Sequence, residues 1–107
     1  MIISAPFALP RVLPDGNYLS LWGYIAKTSA YTITSDDFTV DCNGTFTVTL
    51  PDSTSLRGRV FVIKNSGGGV ITVNTTSSQT IDESLTLTLI PGVCYRVQST
   101  GAHYIII

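Results

Sequence analysis

Threonine alternating with apolar residues is the feature that most constrains how this chain can fold. The pattern Thr-Phe-Thr-Val-Thr-Leu-Pro spans 45–51, and Leu-Thr-Leu-Thr-Leu-Ile-Pro spans 85–91. Because successive side chains in a strand point to opposite faces, a period of two predicts a pleated surface with one buried side. Proline has no backbone N–H to donate, so each strand is expected to end there.

The two patterns belong to longer stretches that are written alike. In Thr39–Pro51 and in Thr80–Pro91, a short β-like segment leads through a turn into the alternating strand. The turns fall at Asn43–Gly44 and at Asp82–Glu83. Two copies are too few for a solenoid. They favour a sandwich whose two halves are related by a pseudo-twofold axis.

Short strands and turns account for most of the chain from Tyr31 onward. Turn residues separate the strands, and Asn43–Gly44 and Asn65–Gly69 have the composition of hairpin connections. The pattern predicts an all-β fold, an antiparallel β-sandwich or jelly-roll-like barrel of about eight to nine short strands. The predicted strands are Tyr31–Thr34, Phe38–Cys42, Thr45–Leu50, Arg59–Lys64, Val70–Thr75, Gln79–Asp82, Leu85–Leu89, Val93–Gln98 and His103–Ile107.

Residues 1–30 differ from the rest of the chain. They contain three of the five prolines and the only tryptophan, and their apolar residues follow no clean period. Pro14–Asn17 is a turn signal, because proline pre-sets φ while glycine and asparagine accept a positive φ. We therefore predict an extended N-terminal arm over 1–30 with a short hairpin, followed by a knob domain over 31–107. The alternative is that Leu19–Ile25 forms an ordinary first strand of the same sheet.

Charge is scarce and dispersed. Charged residues make up 12% of the chain and the net charge is −1, whereas typical domains are about 25% charged. A surface so poor in charge predicts an obligate homo-oligomer, in which copies of the chain cover one another. The six basic residues form no tract, which argues against nucleic acid as a partner. Neither a signal peptide nor an apolar run of about 20 residues is present, so no membrane partner is expected.

Reactive side chains do not gather into any catalytic or metal-binding motif. His103, the only histidine, has no orienting partner or nucleophile assigned by the sequence. The adjacent acids Asp36–Asp37 and Asp82–Glu83 would face opposite ways in a strand, which favours roles in turns. Gly67–Gly69 lacks the Lys-Ser/Thr of a phosphate-binding loop. The expectation is a protein that is not an enzyme and that needs no metal or cofactor.

The two cysteines are expected to remain free thiols. Cys42 is in phase with Val40 on the core face of its strand, whereas Cys94 is in phase with Arg96 on the opposite face of another. A disulfide needs Cα atoms about 4.4–6.8 Å apart and converging Cβ atoms. A Cys42–Cys94 bridge is the alternative.

From Tyr31 to Ile107 the chain resembles small β-domains of tailed-bacteriophage virion proteins, including tail fibres, head fibres and decoration proteins. The resemblance lies in structural signatures: Tyr31–Thr34, Val40–Asp41 leading to Thr49–Pro51, Gly58–Asn65, Ile71–Val73, Thr80–Asp82, and Tyr95–Ser99 with Gly101 before the last strand. It departs at Glu83, where such domains often have glycine, and at Tyr104, where tryptophan is common. The resemblance implies a homotrimer and a location in the virion.

Residues and resemblance together predict a virion structural protein, a trimeric head decoration, head fibre or short tail fibre. The arm would attach it to other virion proteins of the capsid or tail, with Phe7, Leu9, Val12 and Leu13 as candidate docking residues. The alternative is a receptor- or carbohydrate-binding module of a tail fibre. Its candidate contacts to a host-surface glycan are the aromatics Trp22, Tyr24 and Tyr31 and the loops 65–69 and 99–102. For the three aromatics we favour the other interpretation, that they pack in the core or at a subunit interface. A third class, a small β-barrel enzyme, would require His103 beside a carboxylate in a pocket.

Overall fold

A computed structural model of the chain describes residues 23–107 and the two short segments Arg11–Val12 and Tyr18–Leu19. These parts contain eleven β-strands and one short 3-10 helix, Ser53–Ser55. The strands are β1 (Arg11–Val12), β2 (Tyr18–Leu19), β3 (Tyr24–Lys27), β4 (Tyr31–Thr32), β5 (Thr39–Cys42), β6 (Phe46–Thr49), β7 (Val60–Asn65), β8 (Ile71–Asn74), β9 (Leu87–Leu89), β10 (Cys94–Ser99) and β11 (Tyr104–Ile106).

Most of the strands form two mixed sheets. Sheet one has five strands in the order β11-β10-β7-β5-β3, and sheet two has four in the order β4-β6-β8-β9. Strands β1 and β2 pair antiparallel with each other as a separate hairpin. The predicted all-β class is therefore confirmed for the described part of the chain.

The chain passes from one sheet to the other after each of the strands β3 to β7. In sheet one β3, β5 and β7 lie side by side and parallel, and in sheet two β4, β6 and β8 do the same. Each sheet-one strand and the sheet-two strand that follows it thus make one coil, and three coils stack on each other. Strands β9, β10 and β11 then complete the two sheets with antiparallel pairs.

This winding corrects the predicted antiparallel arrangement. The turn signals at Asn43–Gly44 and Asn65–Gly69 predict hairpins, but each connects strands that lie in different sheets. The same turn residues suit both geometries, since either connection reverses the chain. The pairing across coils joins residues far apart in sequence, such as Val40 with Ile63, and a local pattern does not encode it. The winding is solenoid-like, although the sequence repeat favours a sandwich with a pseudo-twofold axis.

Glycine is required where the connections of neighbouring coils stack on each other. A Cβ atom on Gly67 would collide with the side chain and backbone of Asn43. A Cβ atom on Gly69 would collide with the Thr45 hydroxyl and the backbone of Gly44. The glycines at 67 and 69 therefore allow close packing of two connections, which is a rigid role and not that of a flexible link.

The core lies between the two sheets. Alternate residues of β5 to β11 point inward and most of them are almost fully buried, as the period-two pattern predicts, whereas the inward residues of β3 and β4 are partly buried. Residues from both sheets contribute, so one core joins them. Its fully buried apolar members are Ile33, Val40, Cys42, Val48, Leu50, Phe61, Ile63, Ile71, Val73, Ile81, Leu89, Val97 and Tyr104.

Part of the predicted arm lies in the body of the protein. Tyr24–Lys27 forms β3, the edge strand of sheet one, and pairs in parallel with Thr39–Cys42. For these residues the alternative interpretation, a first strand of the same sheet, is the correct one. The strand-rich body therefore includes Tyr24–Lys27, which lies ahead of the predicted boundary at Tyr31. The division into an attaching arm and a knob otherwise stays a prediction.

Candidate interaction surfaces

The outer face of sheet two is an uncharged array of hydroxyl groups. Its strands β4, β6, β8 and β9 contain no charged residue. The strand registers align two rows of side chains across the sheet, Thr47–Thr72–Thr88 and Thr32–Thr49–Asn74. Neighbouring strands are about 4.8 Å apart, so the side chains within a row are adjacent. Two exposed aliphatic residues, Val70 and Ile90, flank the array.

The outer face of sheet one is different because it carries charged side chains. Tyr24, 65% exposed, donates a hydrogen bond from its hydroxyl to Oδ2 of Asp41 at 2.5 Å. The Ser66 hydroxyl donates to the other carboxylate oxygen of Asp41. Lys64 stands beside Asp41 in the strand register. The hydrogen bond to Asp41 raises the pKa of Tyr24, because only the neutral phenol has the O–H group that donates to the carboxylate.

A polar corner secures the connection between β4 and β5. Asp37 accepts hydrogen bonds from the Tyr31 hydroxyl at 2.6 Å and from the Thr34 backbone N–H at 2.9 Å. The buried Arg59 guanidinium donates to the carbonyls of Ser35 and Asp37 and lies 4.6 Å from the centre of the Phe61 ring. Burial lowers the pKa of Arg59 and the Asp37 charge opposes that shift. These contacts hold the loop between β4 and β5 in place.

At one end of the stacked coils the edge of sheet one is capped. Tyr104 of β11 exchanges main-chain hydrogen bonds with the segment 80–82, donating to the Thr80 carbonyl and accepting from the Asp82 N–H. The Asp82 carboxylate accepts from the Ile106 N–H at 3.1 Å. Together these bonds satisfy the outer edge of β11, which would otherwise present unpaired backbone groups.

The other end of the coils is open. β3 ends sheet one and β4 ends sheet two, and within residues 23–107 no strand lies beyond either of them. The β1–β2 hairpin pairs with neither. We refer to the outer edges of β3 and β4 together as the open end.

The histidine and two of the acidic residues considered as catalytic or metal-binding candidates take part in hydrogen bonds that hold loops and strand edges in place. Nδ1 of His103 accepts a hydrogen bond from the Thr80 backbone N–H at 3.0 Å, so the ring helps to close the capped end. Asp37 belongs to the polar corner and Asp82 to the cap. No cluster of three His, Cys, Asp or Glu side chains that could hold a metal ion occurs in the described residues. The expectation of no enzymatic activity stays a prediction.

The structure separates the two predicted aromatic contacts that it describes. Tyr24 is exposed on the outer face of sheet one, as a ligand contact requires. Tyr31 points inward, packs against the core and lies under the Lys27 ammonium at 4.3 Å. The two rings therefore form no common stacking platform. Trp22 and the docking residues Phe7, Leu9 and Leu13 lie outside the described residues, as does the side chain of Val12, whose backbone is in β1.

The loops named as possible ligand contacts are held by internal hydrogen bonds. Nδ2 of Asn65 donates to the carbonyls of Gly69 and Leu89, and its Oδ1 accepts from the Gly67 N–H. In the loop 99–102, the backbone N–H of Thr100 donates to the His103 carbonyl. The buried Asn65 was not singled out from the sequence. Its signal is an asparagine in an inward-facing position at the end of a β-branched strand, directly before a glycine-rich turn.

Both cysteines are free thiols, as predicted. Cys42 is fully buried between the sheets, and Cys94 is exposed on the outer face of sheet one. Burial raises the pKa of Cys42 to about 11, with a smaller contribution from the Asp41 charge. The Cys42 thiol is therefore protonated and shielded from reagents at neutral pH.

Comparison with protein-family models, with curated proteins and with solved structures finds no match for this chain. In the part of the chain that the structure describes, no helix is long and apolar enough to cross a membrane.

Proposed function

We propose that the protein is a structural subunit of a bacteriophage virion, built to associate with copies of itself and with other virion proteins. The observation that carries the proposal is the uncharged outer face of sheet two, in a chain with 12% charged residues. A face of aligned threonines with exposed Val70 and Ile90 at its margin has the composition of a surface that another protein covers.

The two stacked sheets, taken as a β-sandwich with solenoid-like winding, would form the knob of a head decoration, head fibre or short tail fibre. The resemblance to phage β-domains suggests three copies per knob. In this proposal the N-terminal residues attach the knob to the capsid or tail, with Phe7, Leu9, Val12 and Leu13 as the anchors. The closed end at β11, where Asp82 and His103 cap the sheet, would then point away from the virion.

Incorporation into purified phage particles tests the location in the virion. Particles made with the full chain should contain it, and particles made with a chain that lacks residues 1–22 should not, although that chain should still fold. The reason is that the residues described from Gly23 onward form the five-stranded and the four-stranded sheet and all the core residues that the structure describes. Incorporation of the shortened chain at the normal level would contradict the attaching role of the arm.

Charge placed on the sheet-two face tests its role as a contact between subunits. Thr72→Glu introduces a carboxylate in the middle of the Thr47–Thr72–Thr88 row and should reduce the mass of the particle measured by native mass spectrometry. Ser55→Glu is the matched control, because it adds the same charge at an exposed position of the 3-10 helix. Equal masses for the two variants and the original chain would exclude this face as a contact.

A glycan-binding module is the second candidate, and one observation favours it. Tyr24 is an exposed aromatic whose hydroxyl is fixed by Asp41, and a sugar ring can stack on such a residue. A glycan array with the purified chain distinguishes the candidates. The structural role predicts no bound glycan, whereas binding that disappears in Tyr24→Ala, and is retained in Tyr24→Phe, would establish the alternative.

A further inference from the structure

We propose that the open end is a self-association surface, at which two copies of the chain join edge to edge. β3 would pair antiparallel with the same strand of the second copy, and β4 would do likewise, about one twofold axis. This inference rests on the self-association in the proposed function and adds to the sheet-two face a second contact, the open end, with its own twofold symmetry.

The open end presents main-chain donors and acceptors in both sheets. On β3, the carbonyls of Gly23 and Lys27 accept from the N–H groups of Thr39 and Asn43 in β5 or at its end. In a parallel ladder the residues that bond to one neighbour alternate with residues that face the other side. Tyr24 and Ala26 therefore direct their N–H and C=O groups to the open side.

The same reasoning applies to sheet two. The Ile33 N–H donates to the Thr49 carbonyl at the end of β6. By alternation, Thr32 directs its N–H and C=O groups away from β6 and toward the open side. Both layers of the fold thus end in extended backbone whose outward groups have no neighbouring strand among the described residues.

An occupant of this end has to match two edges at once. Stacked sheets are about 10 Å apart, and a single extended peptide completes only one of them. An identical end has two edges at the same separation. A twofold axis perpendicular to the sheets makes each edge strand antiparallel to its copy, which allows about six main-chain hydrogen bonds through Tyr24, Ala26 and Thr32.

The open end has little of the usual protection against edge pairing, apart from the short length of β4. Proteins block exposed edges with proline, bulges or outward lysines, and β3 and β4 contain no proline. Their one charged residue, Lys27, lies over the Tyr31 ring and does not extend into the edge. At the other end the segment 80–82 covers the outer edge of β11, so among the described residues the unpaired edge of sheet one is that of β3.

The area of the open end limits the strength of the contact. A four-residue strand spans about 13 Å, and two layers with their side chains give about 300 Å² per copy. A stable dimer buries about 800 Å² per partner. The pairing is therefore expected to depend on concentration in the micromolar range or above.

A proline at position 26 tests the pairing without disturbing the monomer. The Ala26 N–H faces the open side, so Ala26→Pro removes a donor of the dimer while the ladder to β5 keeps its bonds. Ala26→Val is the matched control, since it changes the same exposed side chain and keeps the N–H. Sedimentation of the full chain should show a species of twice the 11.5 kDa chain mass, a dissociation constant at least tenfold higher for Ala26→Pro, and no change for Ala26→Val.

Hydrogen exchange identifies the groups involved. The amides of Tyr24, Ala26 and Thr32 should gain protection as the concentration rises, whereas the Ile33 amide, bonded inside sheet two, should be protected at every concentration. Protection of the three edge amides at all dilutions would mean that the chain covers its own edge, and would overturn the inference. A trimer that Ala26→Pro leaves unchanged, with freely exchanging edge amides, would overturn it too but leave the proposed function standing. A monomer at all concentrations would overturn both.

Discussion

Replacing Asn65 by alanine should destabilise the fold more than any other change of an asparagine in the described part of the chain. The side chain is fully buried and makes three hydrogen bonds, to the Gly69 carbonyl at 2.9 Å, the Leu89 carbonyl at 2.8 Å and the Gly67 N–H at 3.1 Å. These bonds connect the end of β7 to the glycine-rich connection and to β9 of the other sheet.

The expected loss of unfolding free energy depends on whether water can replace the asparagine at each lost bond. In Asn65→Ala the buried carbonyl of Leu89 loses its partner without access to water, which costs about 1–3 kcal/mol. Gly67 and Gly69 are partly exposed, so water replaces the asparagine there and each lost bond costs about 0.5 kcal/mol, the low end of the usual range. We expect a total loss of about 2–4 kcal/mol from a fold whose stability is about 5–15 kcal/mol.

Urea unfolding at one fixed protein concentration measures this loss. With an m-value of about 1–3 kcal/mol/M, the midpoint should fall by about 1–2 M. Asn74→Ala is the control, because Asn74 is an exposed asparagine of β8 whose Oδ1 accepts only from the neighbouring Thr75 N–H. It should change stability by no more than about 0.5 kcal/mol. Equal midpoints for the two variants would refute the role assigned to Asn65.

Three further predictions concern other parts of the fold. In the native protein a thiol reagent should modify Cys94 alone, with Cys42 reacting only after unfolding; rapid modification of both would contradict the buried position of Cys42. Glu83 has φ of 71°, so Glu83→Gly should stabilise by about 0.5–1 kcal/mol in urea, whereas Asp82→Gly should destabilise because it removes the cap on β11. Burial, and then the hydrogen bond to Asp37, raises the pKa of Tyr31 from 10.0 to about 12. Because the folded state holds this proton more tightly than the unfolded state, Tyr31 contributes to the free energy of unfolding below pH 10, and this contribution should be lost as the pH rises toward 12. The alkaline loss should be smaller in Tyr31→Phe, and an identical pH profile would exclude this cause.

The sequence predicts where strands lie and which way their side chains point. Threonine alternation locates β6 and β9, and the phase of each strand correctly places Cys42 inside and Cys94 outside. This works because burial in a strand is a local property with a period of two residues. The uncharged face of sheet two has the same origin, since its threonines are the outward half of that pattern.

Strand pairing could not be predicted in the same way. A turn at Asn43–Gly44 leads equally well into a hairpin or across to the second sheet, and the choice depends on contacts such as Val40 with Ile63, which are distant in sequence. The roles of Asn65 and Arg59 depend on the same choice, because Asn65 bonds to Leu89 and Arg59 bonds to Ser35 and Asp37, which are all more than 20 residues away in sequence. The alternation alone does not predict the open end of the coils, because a strand is at an edge when it lacks a neighbour on one side, and alternation does not show which strands are neighbours.

Light scattering of the purified full chain over a range of dilutions tests the central claim, that so weakly charged a surface is covered by other copies of the chain. We expect the scattering species to have a mass that is a multiple of 11.5 kDa, twice that mass or more, at high concentration. The mass should fall on dilution where the contact is weak. A single, stable species of 11.5 kDa at every concentration would contradict it.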